Sequence, residues 1–329
     1  PSGYLQINAT TKRGSMHIVT RACKFGGSSC QTHCNDLLKL VSDSSESKSK
    51  PVLMLVSDNG PDWNLKSLAV LLYIGRLWRD LGKDILILCM YAPYHSAWND
   101  VERVWAFIGR CLAGLFLPPL LEGEDVPPMH QTHISEKERS KKEAMLFNSQ
   151  MKEVTRVWNN DKKYNGVPIQ AQYVDCNDTE TPYHDYDEVT KILRMAPSKL
   201  RKALSSSAFG KKTQEVAKEL KFFIEHADRR KHLLVFTKCE KQSCKHCSEK
   251  PIQKEVKATL YSLLEKHGLF FSPTQSPKNP KKFMGYEEIM KSKEVITFVP
   301  DLFLPSHKRK PIIKNKTNKS TKATGKRKG

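Results

Sequence analysis

Two sets of side chains in this sequence could do chemistry, and they call for different metals. Asp58 and Glu102 are hard oxygen donors, each downstream of an apolar run, and such carboxylates suit Mg²⁺ or Mn²⁺. Two such ions about 3.5–4 Å apart can activate a water or a 3′-hydroxyl and stabilise the leaving oxygen of an in-line phosphoryl displacement, a chemistry that usually takes three or more carboxylates. Cys239, Cys244 and Cys247 have four and two residues between them, a spacing that can present thiolates to one tetrahedral Zn²⁺. A closed structural zinc site needs a fourth ligand. His226, His232, His246 and Cys176 are candidates that the sequence does not rank, although His246 is cramped between two of the ligands.

Each carboxylate has a plainer explanation when taken singly. An Asp after a strand commonly caps a turn, and a Glu early in a helix complements the helix dipole. Their neighbours shift the balance. Ser57, Asp58, Asn59, Gly60 and Pro61 in succession resemble the second-aspartate segment of retroviral-type integrases and DDE transposases. The run from Pro93 through Tyr94, His95, Ser96, Ala97, Trp98, Asn99, Asp100, Val101, Glu102, Arg103 and Val104 to Trp105 resembles the third-acid segment of DDE superfamily endonucleases. The likeness covers residues 1–117 and is strongest over 52–106.

The resemblance implies an RNase H-like mixed sheet with flanking helices, and DNA cleavage and strand transfer with Mg²⁺ or Mn²⁺. It makes Asp58 the second acid and Glu102 the third, with Asn99 and His95 as positioning groups. Asp62 and Asp100 are weaker alternatives, and Asp100, two positions from Glu102 on a helix, faces away from it. Two departures bear on activity. The two acids are further apart than in the best-known integrases. The family's first Asp, on its first strand, has no counterpart here, because Asp36 falls in an expected helix and Asp43 in an expected loop. The chain is therefore expected to be an amino-terminally truncated fragment and, alone, a poor or dead catalyst. The competing expectation is a transposon-derived protein that binds DNA or chromatin without chemistry.

The elements that must position these groups follow from periodicity. Residues 4–21 read as two short strands around Lys12, Arg13 and Gly14, and 29–41 as an amphipathic helix on which Cys30 and Cys34 share a buried face. Residues 52–56 and 85–90 are wholly apolar, as buried parallel strands are. Helical spacing over 65–81 and 98–115 places a helix after each, so the order is strand, strand, helix, strand, helix, strand, helix, that of an α/β layered domain. On the last helix Trp98 and Trp105 share a face, as do Val101 and Ile108, which predicts packing on the sheet. Prolines at 118, 119, 127 and 128 mark a break, and Ser135 with Glu138 predicts a capping box for a charged helix to residue 158. The expected organisation is a partial catalytic domain over 1–117, a linker and charged helix over 118–165, a mainly helical basic region with the Cys cluster over 166–305, and a disordered basic tail over 306–329.

Charge narrows the partner. Lys and Arg outnumber Asp and Glu by 55 to 35, a formal net charge of +20, which points to a polyanion such as DNA. Residues 306–329 hold ten Lys or Arg and no acid, with Lys308, Arg309, Lys310 and Lys326, Arg327, Lys328 as clusters suited to nuclear import or phosphate contact. A nuclear location is expected. No apolar run long enough for a membrane helix is present; with no signal peptide expected, nine cysteines imply a reducing compartment and favour metal binding over disulfides. A homo-oligomer is compatible with all of this.

Overall fold

A computed structural model describes residues 1–7, 14–22, 27–58, 60–91, 99–160, 162–164, 166–175, 181–230, 233–267 and 279. Strands β1 (Ser2–Ile7) and β2 (Gly14–Thr20) pair antiparallel, and helix α1 (Cys30–Asp43) follows, its first turn closed by a capping box between Ser29 and Thr32. A short helix α2 (Ser45–Ser49) leads into β3 (Val52–Ser57). Then come α3 (Leu68–Asp80), β4 (Ile85–Met90) and α4 (Asp100–Cys111). The expected order of elements over this stretch is observed, with α2 added where a loop was expected and Asp43 closing α1. The helix foreseen over 65–81 starts later because residues 64–67 form turns, and the one foreseen over 98–115 ends at Cys111, followed by a turn with Gly114 at positive φ.

Downstream lie α5 (Glu136–Asn159), β5 (Lys163–Tyr164), β6 (Val167–Tyr173), α6 (Tyr186–Leu193), α7 (Pro197–Ala203), α8 (Lys211–His226), β7 (Ala227–Arg230), β8 (Leu233–Thr237), α9 (Lys245–Glu249) and α10 (Lys254–His267). At the start of α5 the Ser135 side chain accepts from Glu138 N, the half of the expected capping box that the structure shows.

The strands form two mixed sheets, in the orders β1-β2-β6-β5 and β3-β4-β8-β7. Here the structure departs from the expected division of the chain. β6 runs parallel to β2, and β8 runs antiparallel to β4, so strands within 166–305, foreseen as a mainly helical region, pair with strands of 1–117 in both sheets. The apolar strand β4, buried along its whole length, lies between β3 and β8. α3 is apolar nearly all round and buried from Ala69 to Trp78, as a helix covered on every side must be.

The main core joins α1, α3, α6 and α8 to β4 and β8, with Tyr4 of β1 and Leu53 and Leu55 of β3 packed against it. A second core lies on the first sheet, where Val104 and Ile108 of α4 meet Met16, Ile18, Ile169 and Trp158. α4 thus leaves the second sheet and packs on the first. A Cβ on Gly3 would meet the Trp105 ring at 2.5 Å, which shows how closely β1 and α4 approach. Among the described residues, β1 pairs with β2 alone and β3 with β4 alone, so each is the outermost strand of its sheet. Among the described residues no helix is long and apolar enough to cross a membrane.

Candidate functional site

β3 and β4 run parallel and in register from the pair Val52 and Ile85 to the pair Ser57 and Met90, and Tyr91 N extends the ladder by donating to Ser57 O at 2.9 Å. The two strands therefore end at the same level. Asp58 is the first residue past β3 and is exposed. Its Oδ1 accepts from Gly60 N at 3.3 Å and from Ser57 Oγ at 3.4 Å, so the turn holds the carboxylate with one face to solvent. Glu102 is exposed on the first turn of α4, with its backbone N–H on Asn99 O at 3.0 Å. Asn99 is the N-cap residue of α4, and its side chain makes no capping hydrogen bond. Asp100 lies 3.6 Å from Arg103, an exposed pair on the helix surface. His95 and Trp98 lie outside the described residues, as do Lys308, Arg309, Lys310, Lys326, Arg327 and Lys328.

Beside Asp58 a polar cluster ties the turn to α1. Asp62 Oδ2 accepts from Ser28 Oγ at 2.6 Å and lies 3.6 Å from His33 Nε2, while His33 Nδ1 is 2.7 Å from Tyr4 Oη. The Tyr4 hydroxyl donates to Asp36 Oδ2 at 2.7 Å, and Asp36 in turn pairs with the buried Arg21. Burial lowers the pKa of His33, against the pull of Asp36 and Asp62. Trp63 is half-buried, its ring 4.8 Å from that of His33, so it packs rather than standing free. Asp36 is thus an ion-pair partner inside the fold, and Asp62 is occupied by Ser28 and His33. The sequence carried no signal for the Asp62 to His33 contact, which joins residues far apart in the chain.

The second candidate centre is more compact. His226, Cys239, Cys244 and Cys247 bring their ligand atoms within 4.8 Å of one another. His226 Nε2 stands 3.3, 3.5 and 3.4 Å from the sulfurs of Cys239, Cys244 and Cys247. Tetrahedral bonds of about 2.3 Å to sulfur and about 2.0 Å to nitrogen would place N and S about 3.5 Å apart, so the donor set fits one Zn²⁺. His226 Nδ1 donates to Phe222 O at 2.7 Å, which fixes the ring and leaves Nε2 free to ligate. Burial pushes the Cys247 thiol up to about 12, so holding it as a thiolate at neutral pH takes a cation. The cluster could hold a metal such as zinc.

Comparison with protein-family models, with curated proteins and with solved structures returns no match for this chain.

Of the four candidates for the last ligand, the fold selects His226. His246 lies edge-on to Trp78 at 5.3 Å and takes no part in the cluster, while His232 and Cys176 lie outside the described residues. Cys30 and Cys34 are buried in the main core, as their shared helix face predicts, and burial raises both thiols, that of Cys30 to about 12. Among the described residues, the group of three or more potential metal ligands is the His226 cluster, and neither Asp58 nor Glu102 belongs to such a group.

Proposed function

We propose that this chain carries part of a DDE-type transposase or integrase catalytic domain, an RNase H-like fold that cleaves DNA and transfers strands with a divalent metal. One observation carries the reading. Asp58 and the segment leading to Glu102 leave the same end of two adjacent, parallel, in-register strands, and open α/β sheets bind ligands outside the carboxyl ends of their strands. Asp58 and Glu102 would hold Mg²⁺ or Mn²⁺, which supplies charge stabilisation to the reacting phosphate. Asn99, at the start of the Glu102 helix, is the positioning group the reading retains among the described residues.

In this reading a strand bearing the family's first aspartate would pair with the outer edges of β1 and β3. Both strands are outermost in their sheets, both contribute to the core around α1, and α4 packs on β1. Ile7 on β1 and Val52, Met54 and Val56 on β3 are exposed aliphatic side chains, the kind that an added strand would help to cover. The His226, Cys239, Cys244 and Cys247 cluster is assigned a structural Zn²⁺, and the basic tail a role in holding DNA phosphates in the nucleus.

The test uses the protein at its full natural length and follows Mn²⁺-dependent nicking of supercoiled plasmid. Glu102→Gln and Asp58→Asn should each lower the rate by about 10²-fold or more, the size of loss expected when one charge-stabilising group is removed. The double variant should be no worse than either single one, since groups that act as a unit are not additive. Nicking that survives Glu102→Gln removes that residue from the site. A second reading, a DNA-binding relative without chemistry, is favoured by the finding that, among the described residues, Asp58 and Glu102 belong to no group of three or more potential metal ligands. DNA binding without nicking by the protein at its full natural length would establish it.

A further inference from the structure

The Cys and His cluster occupies an unusual place for a small metal module. Its residues belong to the main core of the fold. Cys247 is buried in the same cluster as Trp78, Leu86, Leu88, Leu234 and Phe236, and Cys239 and Cys244 pack against that cluster. His226 closes α8 immediately before β7 begins, and Cys239 comes two residues after β8 ends, so two ligands flank the base of the β7 to β8 hairpin. The hairpin completes the second sheet, because β8 is the strand that pairs with β4 on the side away from β3.

The Trp78 ring shows the same continuity. Its centroid lies 5.5 Å from His226, 5.6 Å from Phe236 and 6.2 Å from Phe222, so the ligand histidine packs directly on α3. Next to the cluster, the buried Lys238 donates to Asp84 Oδ1 at 2.7 Å, joining the residue before Cys239 to the residue before β4. That ion pair and the cluster together fasten one end of β8 to the strand that leads toward Glu102.

Resting on the assignment of zinc to these four residues, we propose that the metal is a clamp for the whole α/β sheet rather than the centre of an independent zinc knuckle. Bound to His226 Nε2 and three thiolates, with the thiol protons released to solvent, it locks the hairpin base. β8 then covers the edge of β4, and α8 stays seated on α3. Removing the metal would unfasten β8 and uncover a strand that is apolar along its whole length. A knuckle that folded on its own would instead lose only its local loop.

The experiment measures hydrogen–deuterium exchange and melting of the full chain, first with one equivalent of Zn²⁺ and then after chelation. The proposal expects one zinc per chain, and on chelation a joint loss of amide protection in β4 and β8 with a fall in melting temperature of about 10 °C or more, since a clamp worth several kcal/mol shifts a domain of this size by that order. Re-adding zinc should restore both. His226→Cys, which keeps four ligands, should retain one zinc and the protection, whereas Cys244→Ser should lose the metal. Loss of protection confined to residues 238–250, with β4 unchanged, would overturn the clamp, as would a chain that takes up no stoichiometric zinc. None of these readouts depends on nicking by Asp58 and Glu102, so either proposal can fail alone.

Discussion

Asp185 sits where α3, α6 and α8 meet. Its carboxylate accepts from Tyr73 Oη at 2.8 Å, from Arg76 Nη1 at 2.9 Å and from Lys212 Nζ at 2.7 Å. Burial by itself would raise its pKa, but the hydrogen bonds from Lys212, Arg76 and Tyr73 outweigh it and hold the carboxyl well below the usual range. A carboxyl whose folded pKa is depressed contributes stability above its unfolded pKa, about 3.9, and loses that contribution as pH falls toward the folded value. Asp185→Asn should therefore cost about 1.5–3 kcal/mol at pH 7, the size of lost hydrogen bonds to a charged group, because Arg76 keeps Glu219 at 2.6 Å as its remaining partner. The gap to the wild-type chain should narrow as pH drops below about 4. Urea unfolding at pH 7 and at pH 3 measures both, and a gap that stays constant between them would contradict the assignment. At this scale the sequence was informative where chemistry is local. The three cysteines lie within nine positions and their spacing speaks for metal. His226 could not be ranked because the sheet, rather than the local chain, brings it to the sulfurs.

Elements were legible for the same reason of locality. The apolar runs gave β3 and β4, and helical spacing and capping gave α1, α3, α4 and α5 to within a few residues. The pairing of β6 with β2 and of β8 with β4 joins segments more than a hundred residues apart, and hydrophobic periodicity carries no partner information. The contact between α3 and α8 is similar. A Cβ on Gly75 would meet the Phe223 ring at 2.5 Å, so glycine is what lets the helices approach there. Gly75→Ala gains helix propensity but overpacks this contact, and should lower stability by about 1–3 kcal/mol. Thermal or chemical unfolding of that variant checks it. A stabilised Gly75→Ala would mean that Phe223 can move aside without cost.

For the whole molecule, the charge of +20 predicts a polyanion partner whatever the chemistry. Binding to a duplex of random sequence, followed by fluorescence anisotropy, should weaken by about 10³-fold or more between roughly 50 and 200 mM salt if six or more phosphates are contacted. Salt-insensitive binding would count against both nucleic-acid readings. The central claim, that Asp58 and Glu102 are two ligands of one divalent-metal site, has a more direct test. Crystals of the chain soaked in Mn²⁺ can be measured at the manganese absorption edge. The account predicts an anomalous peak between the Asp58 and Glu102 carboxylates that disappears in Glu102→Gln. A peak that persists in that variant, or saturating Mn²⁺ with no peak between the two carboxylates, would contradict it.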